Sequence, residues 1–352
     1  MGDDMWNDDA ERTGAALSPV AVVAPAEWAL RFVKNLAAQD WLLVAYFTIL
    51  TVAIACGNGP DRGEAMRMAL TDAGIFLSVL LLVRGEMLKT GTFATLLYRA
   101  TIITTVVASY FQLRTILPAV TTHAVDGQLL AFDLRVFGFE PSLAWDKYVT
   151  PTTTEWFAFF YYSYFFLLSA HVLAFVLLCR DADFLARFAF GIFLVFCVAH
   201  LLYMAVPGYG PYKYSANEFR HELTGGVCWH LVRSAVDTAG AQKDIFPSLH
   251  TAVPTYCFIF SFRHRHVRPL TYTWPVVAFF ASQIIVATMF LRWHWLVDIC
   301  AGITLATISA LLCERVQPWE SARRARFGVQ PVFAPFSLLG RSAVSATSTP
   351  KT

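Results

Sequence analysis

The sequence predicts an all-α fold, a polytopic membrane helical bundle with about eight transmembrane helices. Three observations predict it. Of 352 residues, 57% are hydrophobic and only 15% charged, where a soluble domain carries about 25% charged residues. Mean hydropathy is +0.52. Eight apolar runs approach the roughly 20 residues that cross a bilayer, and a helical bundle satisfies its backbone polar groups internally. The net charge of +2 is too small to imply nucleic acid. No basic run with interleaved aromatics occurs, so nucleic-acid binding has no support.

Residues 1–24 are polar and acidic and read as a disordered tail without the basic and apolar regions of a cleavable signal peptide. After Pro25, Trp28, Phe32, Val33 and Leu36 share one helical face and Arg31 and Lys34 lie off it. That pattern fits an interfacial helix, or equally a continuation of the first span. The spans are expected near residues 41–56, 69–83, 92–113, 154–179, 184–206, 245–262, 273–291 and 295–313. Arg99 falls inside the third and is expected to snorkel to the nearer surface.

Two connections stand out. Residues 114–153 hold Asp133, Phe137-Gly138, Pro141 and Trp145 and read as a partly apolar segment along the membrane surface. Residues 207–244 open with Pro207-Gly208-Tyr209-Gly210-Pro211-Tyr212, and a connection this long in a compact bundle is usually functional. Most of the seven cysteines lie in apolar runs without CxxC spacing and read as small core residues; Cys228 alone sits deep in a polar loop.

Eight spans put Arg84, Lys89, Arg180, Arg187, Arg263, Arg265, Arg268, Arg315, Arg323, Arg324 and Arg326 on one side. The positive-inside rule makes that side cytoplasmic. The opposite side then carries two motifs, Pro247-Ser248-Leu249-His250 and Leu291-Arg292-Trp293-His294-Trp295-Leu296-Val297-Asp298, together with Lys213 and Arg220.

His294 and Asp298 are four residues apart at a helix start and share a face. A carboxylate beside an imidazole fixes its tautomer and stabilises the positive charge that develops when the other nitrogen attacks. A carboxylate in an apolar span is costly and marks a functional site, although a buried polar pair that braces helices is the plainer reading. Arg292 can clamp phosphate oxygens. Ser248 is a plausible helix N-cap whose freed N–H groups form an anion site, and His250 in the first turn can act as a general acid. Both motifs return to one membrane face. Metal binding is the rival use of two histidines and a carboxylate. The cations Arg292, Lys213 and Arg220 favour holding phosphate without a metal, so no metal and no cofactor are expected.

With these residues the chain resembles the type 2 phosphatidic acid phosphatase superfamily. Pro247-Ser248-Leu249-His250 matches the family's Pro-Ser-Gly-His with leucine for glycine, and His294 and Asp298 match the end of its Ser-Arg-x5-His-x3-Asp. The family arginine's position holds Thr288, with Arg292 two residues before the histidine. Lys213 and Arg220 keep the spacing of its Lys-x6-Arg-Pro, but His221 replaces the proline. The form is similar to the inositol phosphorylceramide synthase branch, whose strings Asp133, Phe137-Gly138, Pro141 and Tyr161-Tyr162-Ser163-Tyr164 also resemble.

The resemblance implies a six-helix phosphatase or phosphotransferase core over residues 92–313. Residues 1–40 would then be a polar tail and interfacial helix, 41–91 two accessory spans, and 314–352 a cytoplasmic tail. It implies that His294 attacks phosphorus, Asp298 orients it, His250 protonates the departing alcohol, and Ser248, Arg292, Lys213 and Arg220 hold phosphate. A phosphohistidine would pass its phosphoryl group to a lipid hydroxyl or to water. The expected protein is thus a lipid phosphotransferase fed by a phospholipid donor, or a lipid or polyprenyl pyrophosphate phosphatase. A transporter and a noncatalytic scaffold are the readings from other classes. His171 and His200 are expected as satisfied core histidines, His221 and His230 as solvated loop residues, His264 and His266 as part of a basic cluster at the lipid surface, and Trp293 and Trp295 as interfacial anchors.

Overall fold

In a computed structural model that describes residues 25–89, 91–239 and 243–333, the chain is an α-helical bundle with no strand among those residues. The predicted N-terminal tail and residues 334–352 lie outside them. The α-helices are α1 (Pro25–Asn35), α2 (Ala38–Cys56), α3 (Arg62–Arg84), α4 (Thr92–Val120), α5 (Asp126–Val136), α6 (Pro141–Ala144), α7 (Pro151–Leu178), α8 (Ala182–Ala205), α9 (Pro211–Tyr214), α10 (Val227–Ala239), α11 (Leu249–Arg263), α12 (Leu270–Phe290) and α13 (Leu296–Phe327).

Seven of these, α2, α3, α4, α7, α8, α12 and α13, are long and apolar enough to cross a membrane. The sixth predicted span, residues 245–262, is shorter than expected. Residues 243–248 are loop, and α11 begins only at the N-cap Ser248, whose side chain accepts the N–H of Thr251 at 3.2 Å. Its 15 residues rise only about 22 Å. It is nevertheless the centre of the bundle, packed on α7, α8, α12 and α13. One end of α11 therefore lies recessed among longer helices, and the loop before it reaches into the bundle.

The chain breaks between α1 and α2, so α1 is a separate amphipathic helix whose Trp28 indole N–H donates to the Gly85 carbonyl at 3.0 Å. Helices α2, α3 and α4 form a layer against α8. Arg99 on α4 does not snorkel. It is 2% exposed, donates to the Val176 carbonyl at the last turn of α7, and lies 5.5 Å from the Phe333 ring. A guanidinium is well placed against the unsatisfied carbonyls of a helix C-terminus. Farther along, the facing flanks of α4 and α7 stay open. Val107 and Phe111 on one and Phe165 and Leu173 on the other are each at least 40% exposed.

His171 is half-buried and bonded to the Leu167 carbonyl at 2.9 Å. His200 is buried with its Nδ1 bonded to the Tyr46 hydroxyl at 3.2 Å, while its Nε2 has no partner among the described residues, so only part of the expected satisfaction is present. The long connection after α8 contains α10, a helix absent from the sequence reading. Glu155 on α7 forms α10 by accepting the N–H groups of Gly226, Cys228 and Trp229 at 2.7–3.1 Å. All seven cysteines are free.

Candidate active site

Three loops meet where α11 and α13 begin. Backbone bonds join them: Tyr212 N–H to the Arg292 carbonyl at 2.8 Å, Ser248 N–H to the Asp298 carbonyl at 3.1 Å, and Gly208 N–H to the Lys243 carbonyl at 3.3 Å. Gly210 is required at its position. Its φ is +84°, and an added Cβ would lie 2.3 Å from the Trp293 carbonyl, in a region that side chains avoid. Gly302 lets α13 approach the start of α11, since a Cβ there would meet the Ser248 carbonyl at 2.7 Å.

Two aspartates of α5 fix these loops. Asp126 accepts the N–H groups of Tyr209 and Gly210 at 2.8–3.0 Å and the indole N–H of Trp295 at 3.1 Å. Asp133 accepts the first N–H groups of α13, from Leu296 and Val297, at 2.8 and 3.0 Å. It thereby caps a helix that is not its own. Burial raises the Asp133 carboxyl above its ordinary range, against the bonds from Glu140, Leu296 and Val297. Burial likewise raises Glu140 to about 8, with Asp133 adding to the rise.

The loops close one end of a cavity of ≈ 720 Å³. Its polar lining at this end is His294, His250, Asp244, Ser234 and Thr238 of α10, and a group of tyrosines that includes Tyr110, Tyr203 and Tyr212. The His294 Nδ1 faces two acceptors, the Ile245 carbonyl at 3.0 Å and Asp298 Oδ2 at 3.4 Å. Nδ1 therefore carries the ring proton, and the neutral ring keeps its lone pair on Nε2. The Asp298 oxygen is held in turn by the Trp295 N–H at 2.9 Å. Burial lowers the His294 pKa to about 4, although Asp244 and the Ile245 carbonyl both oppose the fall. His294 is thus the free base near neutrality.

His250 lies between two rings, stacked on Tyr161 with centroids 4.2 Å apart and tilted against Tyr164 at 4.2 Å. Its buried Nε2 has no hydrogen-bond partner among the described residues. Asp244 was not singled out in the sequence. Burial raises its carboxyl, while His294 and the Tyr110 hydroxyl act to lower it. An acid four residues before Ser248 was the available signal, too common by itself to be read.

The structure brings His294, Asp298, His250 and Ser248 together and leaves the predicted cations outside the cavity lining. Arg292, at φ +67°, turns its guanidinium onto Asp146 Oδ1 at 2.8 Å and onto the His221 carbonyl, 3.8 Å from the Phe219 ring. Burial pushes Asp146 up, but bonds from His221 and the Arg220 N–H and the Arg292 charge outweigh it and hold the carboxyl below its ordinary range. Arg220 is exposed and meets Asp146 only through its backbone N–H, at 3.0 Å. Lys213 is exposed, with Nζ 3.7 Å from the Tyr209 ring. Trp293 and Trp295 are 5% and 0% exposed. They are buried pins of the site, not interfacial anchors, because Asp126 and the Tyr212 ring, 4.7 Å from Trp293, hold them inside. Among the described residues no group of three or more His, Cys, Asp or Glu is arranged to hold a metal ion.

This arrangement offers a neutral, oriented imidazole, a second imidazole with a free nitrogen, and hydroxyl donors at the end of an apolar cavity. The sequence model of the PAP2 superfamily matches residues 127–312, just over half of the chain. No curated protein and no solved structure matches.

Proposed function

The chain belongs to the PAP2 superfamily, and from that premise we propose that it is an integral membrane lipid phosphotransferase of the inositol phosphorylceramide synthase kind, working through a phosphohistidine. One observation carries the reading. His294 and His250 line the polar end of a cavity that is otherwise almost wholly apolar, and such a cavity suits a phosphate on a lipid better than a soluble phosphate ester.

In the first half-reaction the Nε2 lone pair of His294 attacks phosphorus and the bond from phosphorus to the departing alcohol breaks. His250, protonated beside the anionic phosphate, gives its proton to the leaving oxygen. Asp298 and the Ile245 carbonyl hold the Nδ1 proton while positive charge develops on the ring. In the second half an acceptor hydroxyl attacks phosphorus, His250 takes its proton, and His294 departs as the neutral ring. The tyrosine hydroxyls and the start of α11 capped by Ser248 provide donors for the phosphate oxygens. Arg292, Lys213 and Arg220 then act through the outer loops and at the cavity's approach. A phospholipid donor and a lipid acceptor suit the apolar walls. The positive-inside distribution supports an extracytoplasmic site with a cytoplasmic C-terminus.

The test supplies the purified protein with phosphorus-labelled phosphatidylinositol, with and without ceramide or diacylglycerol. Label moving to the added lipid is the expected result, with His294→Ala as the blank. Release of the label as water-soluble inositol phosphate would make water the acceptor and the protein a hydrolase. Equal turnover by His294→Ala would overturn the mechanism and leave transport or scaffolding.

A further inference from the structure

The cavity does not stop at the histidines. Along α7 its lining runs from Tyr161 to Val176, about 22 Å at the helical rise and most of a hydrocarbon core about 30 Å thick. Between its polar end and Arg99 the walls are aliphatic and aromatic except for Ser169. Its side opens between α4 and α7, where the exposed lining residues Val107, Phe111, Phe165 and Leu173 sit.

The far end is closed by Phe333, which lines the cavity and is 2% exposed. This floor is built. The Arg84 guanidinium donates to the Val332 carbonyl at 3.1 Å, Arg324 donates to the Gln330 carbonyl, and the Tyr98 ring lies 5.7 Å from that of Phe333. Each of these residues, like the wall formed by α4, falls outside residues 127–312, the stretch that matches the family.

We propose that this cavity binds the hydrocarbon chain of the lipid whose phosphate meets His294, and that α4 and the segment after α13, delivering Phe333 as a floor, set the length of chain accepted. Continuity with the two histidines identifies the occupant, because a chain attached to a phosphate at His294 has this cavity as its apolar outlet. The lateral opening between α4 and α7 admits the chain from the bilayer. The proposal rests on the phosphoryl-transfer reading for what lies at the polar end. Acyl and isoprenoid chains share the chemistry required.

Two variants change the length. Ala189 on α8 lines the cavity, fourteen residues from Tyr203 and so about 21 Å from the polar end. Ala189→Trp raises the floor and Phe333→Ala lowers it. The full-length protein in lipid vesicles is given phosphatidylinositols with short, medium and long acyl chains, and in a parallel arm isoprenyl pyrophosphates of increasing length. The expected result is a long-to-short ratio of kcat/KM that falls at least tenfold in Ala189→Trp and rises in Phe333→Ala, in whichever arm is turned over. Ratios unchanged in both variants, with their melting temperatures near that of the parent, would overturn the proposal.

A second readout is independent of turnover. A phospholipid with a photoreactive group at its chain end should label α4 near Ile103 or α8 near Ala189, in the parent and in His294→Ala alike. Labelling confined to the outer helix faces would overturn the proposal even if transfer occurs. Labelling inside the cavity without any transfer would sustain it and count against the phosphotransferase reading.

Discussion

At the scale of single residues, the decisive feature is that the His294 Nδ1 has two acceptors rather than one. The Ile245 carbonyl at 3.0 Å is nearer than Asp298 at 3.4 Å. Where a carboxylate is a histidine's sole orienting partner, its amide variant costs about 10⁴ in rate because the wrong tautomer is favoured. Here the carbonyl still demands a proton on Nδ1. Asp298→Asn is therefore expected to lose only about 10- to 100-fold in turnover, against 10³-fold or more for His294→Ala, on the scale of general acid–base contributions. Equal losses in the two variants would show that Asp298 alone sets the tautomer. The pH dependence follows from the same ring. Its pKa is lowered to about 4 by burial, so the neutral form that the proposed attack requires is lost only below that pH. The acid limb of kcat/KM should lie near 4 and not near the ordinary histidine value of about 6.5. Asp244 opposes the lowering, so Asp244→Asn should move the limb to still lower pH. A limb that stays in place, or rises, would remove Asp244 from the His294 environment.

At the scale of elements, the site depends on α5 holding the start of α13, and that clasp titrates. Glu140, 2% exposed, is raised by burial to about 8 from an ordinary 4.5, with Asp133 adding to the rise. Between those values the unfolded chain has released a proton that the folded chain keeps. Stability therefore falls as pH rises through this window, and above it the folded state bears two adjacent carboxylates. The melting temperature of the parent should drop between about pH 5 and pH 9, and Glu140→Gln should flatten the drop; parallel curves would remove Glu140 as its cause. The sequence made part of this clasp legible, since Asp133, Phe137-Gly138 and Pro141 were singled out through resemblance. Their physical task was not, because a carboxylate that caps another helix leaves no local pattern. The same cause hid α10, whose first N–H groups are held by Glu155, more than seventy residues earlier. The short α11 has the hydropathy of a full span because the apolar residues Ile245 and Phe246 continue it into the loop before the helix.

At the scale of the molecule, hydropathy made the spans legible but not their order around the bundle, so the opening between α4 and α7 could not be foreseen. Nor did two spans set apart by resemblance reveal how they serve the core. Asp40 on α2, Arg84 on α3 and Tyr98 on α4 join into one buried cluster. The Arg84 Nε lies 2.8 Å from Asp40, and the Tyr98 hydroxyl donates to the same carboxylate. Asp40 is 0% and Arg84 4% exposed. Removing one partner of such a pair leaves a buried charge uncompensated and costs about 3–5 kcal/mol, whereas replacing both with apolar groups of similar volume is often neutral. Asp40→Asn should therefore lower the unfolding midpoint by more than the Asp40→Leu, Arg84→Met double variant does. Because Arg84 also holds the Val332 carbonyl, its loss in the double variant frees the segment that carries Phe333. The double variant should thus be the more stable of the two and yet accept longer lipid chains than the parent. A double variant less stable than the single one would mean that the cluster contributes through hydrogen bonds that apolar packing cannot replace, and the separation of stability from chain selection would fail with it.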